Sequence, residues 1–229
     1  MLSPSVELPA IPGGWGRELF EAAGRTFDLW LPQKPDAFLD DPDVIAANRL
    51  DDYMPYWATL WPGAKIMARL MDRAPWPRDS ELLELGAGVG LVGLAAMVLG
   101  NRVVFSDYDP VAVQVCRYNA VRNGLPDPEA LVLDWRNPPA RQFSAIVGCE
   151  VTYDHKLHDA LLQTLEAMLT QDGVCWLGDP GRFWSTHFFK AASEKFRVRI
   201  FDQELRESSF PSATTFQIFE LRWKSPTGS

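Results

Sequence analysis

Glu81-Leu-Leu-Glu-Leu-Gly86-Ala-Gly88-Val-Gly90 decides how this chain is read. An apolar run of strand length meets three glycines at alternate positions, and an apolar helical pattern over 91–99 follows at once. A glycine turn between a strand and a helix lets backbone approach a ligand that any side chain would block. Such a turn predicts an α/β fold with its ligand at the carboxyl end of the first strand.

Moving downstream, short apolar runs alternate with helical patterns, the rhythm of a parallel sheet covered on both faces. Strands are expected over 102–106, 130–133, 145–149 and 173–177, and helices over 110–122, 157–169 and 183–195. Asn123-Gly124 stops the helix that Pro110 opens. Two last strands, 197–201 and 214–221, have no helix between them, which implies an antiparallel hairpin. The fold class is therefore a Rossmann-like, seven-stranded, mostly parallel sheet with helices on both faces and an antiparallel C-terminal hairpin. Upstream, Pro62 suits the first turn of a helix over 63–72, with Ile66, Met67 and Leu70 on one face. Residues 1–54 read as an N-terminal extension rich in Pro and Asp, with a hairpin pattern around 25–31; 55–224 form the main domain, and 225–229 a frayed tail.

Composition narrows the functional classes. The 229 residues carry 30 acidic against 22 basic side chains, a formal charge of −8, so no broad cationic surface exists for nucleic acid, and a cationic acceptor is favoured instead. Cys116, Cys149 and Cys175 lack C-x-x-C spacing, and His155, His158 and His187 are scattered, so no metal site is expected. The N-terminus shows no basic-then-apolar leader, and no apolar run reaches membrane-spanning length. The expectation is a cytoplasmic monomer with neither membrane nor nucleic-acid partner.

The glycines alone do not choose the cofactor, because Gly88-Val-Gly90-Leu-Val-Gly93 also fits the G-x-G-x-x-G of nicotinamide enzymes. Glu84 tips the balance: a carboxylate beside the turn gains nothing from a pyrophosphate but would favour a cationic sulfonium bearing an amino acid. The strand also ends at Leu85, which makes Gly86, Gly88 and Gly90 the natural register. Asp107, after the second strand, can accept from both ribose hydroxyls in either case. Asp134 and Trp135 are placed to take an adenine, the acid from the exocyclic amine and the indole against the ring; a capping acid and a core Trp is the plainer alternative. Asp109, before Pro110, reads as a helix N-cap.

These residues resemble the seven-strand class I methyltransferases, and within them methyltransferase family 16, the protein-lysine branch. The resemblance rests on Trp61-Pro62-Gly63 ahead of the loop, Glu84 to Gly90, and Glu150-Val-Thr-Tyr153 after the fourth strand. A narrower similarity, to the lysine methyltransferases of the electron-transfer flavoprotein β-subunit and their bacterial relatives, lies in Tyr56-Trp57-Ala-Thr-Leu-Trp61-Pro62-Gly63, Tyr153-Asp154 and Gly178-Asp179-Pro-Gly-Arg182. Glu150 stands where that narrower group has Asp, and the N-terminal segment is unlike it.

The resemblance implies S-adenosyl-L-methionine as cofactor, held by Trp61, Glu84, Gly86, Gly88, Gly90, Asp107, Asp134 and Trp135, and a protein lysine or a small amine as acceptor. Glu150 is expected to orient the acceptor amine and Tyr153 to wall its channel, with Trp57, Asp179 and Arg182 touching substrate. Glu150 as a cap, the Trp pair as core and 179–182 as a simple turn are the plainer readings. Small-molecule N-methylation, a cofactor-binding interaction protein without turnover and a dinucleotide oxidoreductase are the competing functions.

Overall fold

The computed structural model describes residues 7–224; the tail expected at 225–229 lies outside the described residues. β1 (Trp15–Ala22) and β2 (Arg25–Pro32) form an antiparallel hairpin, and α1 (Pro42–Asp51) follows it. α2 (Pro62–Leu70) leads into β3 (Glu81–Leu85), α3 (Leu91–Val98), β4 (Arg102–Asp107), α4 (Pro110–Arg122), β5 (Glu129–Val132) and β6 (Phe143–Cys149). The chain ends with α5 (His158–Met168), β7 (Leu169–Asp179), α6 (Ser185–Lys195), β8 (Phe196–Asp202), the two-residue β9 (Glu207–Ser208) and β10 (Gln217–Trp223).

The central sheet runs β5-β4-β3-β6-β7-β10-β8-β9. β5, β4, β3, β6 and β7 are parallel, while β10 enters antiparallel between β7 and β8. The terminal antiparallel pair therefore forms as expected, and the eighth strand is β9, a short edge on β8. β7 also begins four residues earlier than the pattern suggests, because its first residues join Phe143 across a register shift.

Alternation along β3 assigns the two sheet faces. Leu82 enters the core beneath α2 and α3, with Met67, Leu91 and Phe105; Leu83 and Leu85 enter the opposite core with Leu161, Leu165 and Phe188. The N-terminal hairpin belongs to the first of these cores. Phe27 and Leu29 are fully buried there, each contributing about 1.5–3 kcal/mol of apolar burial.

α1 is the element the sequence reading missed. Asp41 caps it by accepting from the amides of Asp43 and Val44, and Pro42 occupies its first turn. None of its residues is buried, so it carries no apolar stripe for a periodicity argument to detect. α3 and α4 form close to their expected bounds, and α6 starts at Ser185, two residues later than expected.

Candidate active site

The sheet reverses its strand order between β3 and β6, and a cavity of ≈ 500 Å³ opens beside the carboxyl ends of these strands. Gly86, Gly88 and Gly90 form the turn after β3 with φ of +59°, +55° and +85°. Glycine adopts those values without the steric cost a side chain would meet. A side chain on Gly86 would also come within 2.8 Å of Val151.

Glu84 is 3 % exposed, and its Oε2 accepts from the Gly93 amide at 2.9 Å. A Cβ on Gly93 would collide with that carboxylate and with the Phe105 ring. Gly93, which the dinucleotide pattern also requires, is thus needed here to let Glu84 reach the first turn of α3. Burial pushes the Glu84 carboxyl up to about 8; the Gly93 amide opposes the shift and the charge of Asp107 adds to it.

Asp107 accepts from the Gly88 amide at 2.9 Å through Oδ2 and from the Asp109 amide at 3.1 Å through Oδ1. Each oxygen keeps a lone pair for a ligand hydroxyl. Burial raises its carboxyl to about 6, against the pull of these amides. Asp109 caps α4 as expected, accepting from Val111 at 2.7 Å, and also accepts from the Tyr53 hydroxyl. Trp135 lies in the cavity wall, its ring 3.9 Å from the position of a Cβ on Gly86.

Asp134 also lines the cavity, but its carboxylate is held by the backbone and Nε of Arg136, each at 2.9 Å to Oδ1. Arg136 extends the clasp to Asp51 at the end of α1, at 2.9 and 3.0 Å. Lys156 reaches Asp52 at 3.0 Å, and both aspartates border the cavity. The Asp51–Tyr53 segment therefore roofs the site, a contribution invisible in the sequence because the partners of its side chains lie 56 or more residues away.

Tyr56, Trp61 and Tyr153 make an aromatic rim to the cavity. Tyr153 meets Tyr56 edge-on with ring centroids 5.0 Å apart, and Tyr56 lies 6.4 Å from Trp61. Burial raises the Tyr153 phenol above its ordinary value, which keeps it neutral, a hydrogen-bond donor rather than a base. Trp57 borders the cavity too, but the residue is 6 % exposed and its ring sits against Phe38 at 5.5 Å between centroids, so core packing dominates its environment.

Glu150, expected to orient the acceptor amine, has both carboxylate oxygens engaged. Its Oε1 accepts from the Gly63 amide at 2.7 Å, and its Oε2 pairs with Arg182 Nη2 at 2.6 Å. The residue has φ +56°, a conformation uncommon for a side chain other than Asn or Asp, at the end of β6. Arg182 spans the rim, with its guanidinium carbon 5.7 Å from the Trp61 ring centroid, and its Nε is buried without a hydrogen-bond partner.

Asp179 requires correction as a substrate contact. It is fully buried and absent from the cavity wall; its oxygens accept from Thr152 and Ser185 hydroxyls at 2.5 Å and from the Gly181 and Arg182 amides at 2.7 and 3.1 Å. It sets the turn that delivers Arg182. No cluster of His, Cys, Asp or Glu placed to hold a metal ion occurs among the described residues, and no helix there is long and apolar enough to cross a membrane.

A family model described as lysine methyltransferase matches residues 58–195. The electron transfer flavoprotein beta subunit lysine methyltransferase of Mus musculus is 34% identical over 131 residues, covering 56% of this chain and 51% of that protein. Protein-lysine methyltransferase METTL21E of the same species is 29% identical and covers 69% of this chain and 68% of that one. A TehB-like SAM-dependent methyltransferase from Corynebacterium glutamicum shares the fold at a TM-score of 0.59 and 18% identity, over 83% of this chain and 100% of that one. The chain spans about half the length of the first of these relatives.

Proposed function

Because the chain belongs to the lysine methyltransferase family 16, we propose that it transfers a methyl group from S-adenosyl-L-methionine to the ε-amine of a lysine in a protein substrate. The observation that carries this reading is one cavity lined by the left-handed Gly86 and Gly88 and by the Tyr56, Trp61, Tyr153 rim; Gly90, expected as a third cofactor contact, instead turns toward Cys116 and Phe105 and does not line it. The residues fit the cofactor. Gly86 and Gly88 leave bare backbone for close approach, Asp107 retains acceptor capacity for a ribose diol, and Trp135 offers an apolar face for a flat ring. Asp134, ionised beside Arg136, can still accept from an amine at the cavity wall.

When bound, the cofactor supplies an electrophilic methyl group on a sulfonium. The chain's own residues orient the acceptor and exclude water. A lysine entering the cavity past the Tyr56, Trp61 and Tyr153 rim loses hydration, which favours its uncharged amine, and the proton leaves to water before the lone pair attacks. Arg182 neutralises Glu150, so the carboxylate does not hold the ammonium as firmly as a free one would. The oxygen of the neutral Tyr153 hydroxyl can accept from an amine N–H, which fixes the amine's direction and leaves its lone pair free to attack.

The β subunit of electron transfer flavoprotein, the substrate named for the mouse relative, is the first acceptor to test. The purified chain is incubated with labelled S-adenosylmethionine and that protein, and the label is located by mass spectrometry. Label on lysine that falls about tenfold in Tyr153→Phe supports the reading. Label found only on small amines would replace it with a small-molecule methyltransferase. A monomer in the cytoplasm, with no nucleic-acid or membrane partner, belongs to the same proposal; sedimentation and fractionation test it.

A further inference from the structure

Two asparagines at the end of α4, Asn119 in its last turn and Asn123 as its C-cap, are buried, one completely and the other to 7 % exposure, on a face where apolar residues are the rule. Asn119 Oδ1 accepts from the Trp30 amide at 2.8 Å, and its Nδ2 donates to the Trp30 carbonyl at 2.9 Å. Asn123 repeats the pattern one turn later: Oδ1 accepts from Asp28 N at 2.8 Å, and Nδ2 donates to Asp28 O at 3.0 Å. The repeat follows from element geometry. Four residues of helix advance ~6 Å and two residues of strand ~6.6 Å, so side chains at i and i+4 of a helix can match backbone at j and j+2 of a strand. The two amides thereby act as a missing neighbour for the outer edge of β2, which β1 pairs only on its other side.

Each Nδ2 has a second hydrogen, and here the two residues part. Asn123 spends it on the Asn119 carbonyl within its own helix, at 2.8 Å. Asn119 donates it to the carbonyl of Val89, at 2.9 Å, in the middle of the glycine turn. One fully buried side chain thus joins the N-terminal hairpin to the cofactor loop, with all its donors used. The hairpin lies outside the matched residues 58–195. Its neighbourhood reinforces the connection: Leu31 and Trp15 pack with Val89, Trp57 and Val115 beneath the loop.

We propose that Asn119 is a positioning residue for the cofactor: it fixes the Val89 peptide against the docked hairpin, so that hairpin docking and cofactor binding stabilise each other. The inference rests on the proposed cofactor site. If docking favours the binding-competent loop, ligand binding must favour docking to the same extent.

Asn119→Ala and Asn123→Ala form a matched pair, because each removes two hydrogen bonds to β2 while only the first touches the loop. Binding of S-adenosylhomocysteine to the full chain is measured by calorimetry, alongside thermal unfolding. The expected result is a similar fall in Tm for both variants, with Kd raised about tenfold in Asn119→Ala and changed less than about twofold in Asn123→Ala. Equal Kd changes in the two variants, or none in either, would overturn the inference while leaving the cofactor reading intact; a wild-type chain that does not bind would overturn the cofactor reading itself. If Asn119→Ala does not fold, amide exchange in the wild type decides. S-adenosylhomocysteine should slow exchange at Asp28 and Trp30, and unchanged exchange there counts against the coupling.

Discussion

Glu84 and Asp107 show how one residue type acquires its role from its surroundings. Both carboxyls lose hydration at the end of the sheet, and backbone amides only partly compensate, so their folded values rise to about 8 and about 6. Their unfolded values are the ordinary carboxylate ones. A folded state that holds protons more tightly is favoured at low pH, so the ligand-free protein loses stability as pH rises from the ordinary carboxylate range through about 8. A cationic cofactor beside Glu84, with hydroxyls donating to Asp107, favours the ionised forms. Cofactor binding should therefore release protons and tighten as pH rises from about 6 to about 8. Calorimetry in buffers of different ionisation enthalpy reads the released protons directly; affinity that is flat across this range would show that neither carboxyl changes its charge on binding.

α2 illustrates the same dependence at the scale of an element. Its N-cap, Trp61, has no side-chain acceptor to offer, and the first turn begins Pro62-Gly63. The missing acceptor comes from Glu150, 87 residues away, and a Cβ on Gly63 would come within 2.6 Å of that carboxylate oxygen. Trp61-Pro62-Gly63 and the acid at 150 are thus two halves of one contact. Glu150→Ala leaves a buried amide and Arg182 unpaired, at a cost of about 1–3 kcal/mol. Glu150→Gln keeps an oxygen for Gly63 and should retain most of that stability while losing the ion pair. Urea unfolding of both variants separates the contributions, and equal losses would show that the ion pair dominates.

Across the whole molecule, the charge of −8 is distributed so that acids border the cavity, among them Asp51, Asp52 and Asp154. Some of this charge is already matched by Arg136, Lys156 and Arg182. What remains would attract a cationic acceptor, such as the proposed lysine, over distances comparable to the screening length, ~10 Å at moderate salt. Raising ionic strength should increase KM for a protein acceptor severalfold and leave kcat nearly unchanged. A salt effect confined to kcat would instead place the electrostatics at the transferring group.

The order of strands and helices from Glu81 onward, the two-residue β9 apart, the glycine turn, the acids at 84 and 107 and the cap at Asp109 were legible in the sequence. Those features are set by local rules, namely periodicity, turn chemistry and capping, acting within a few residues. What only the tertiary structure decided depends on partners distant along the chain. Glu150 closes on Gly63 and Arg182, Asp179 turns inward on five donors, Asp51 hooks onto Arg136, and the hairpin fastens to Asn119 and Asn123. A carboxylate or a carboxamide reads the same in sequence whether it faces solvent, substrate or backbone. Folding decides which, because a polar group removed from water is retained only where a specific donor or acceptor meets it.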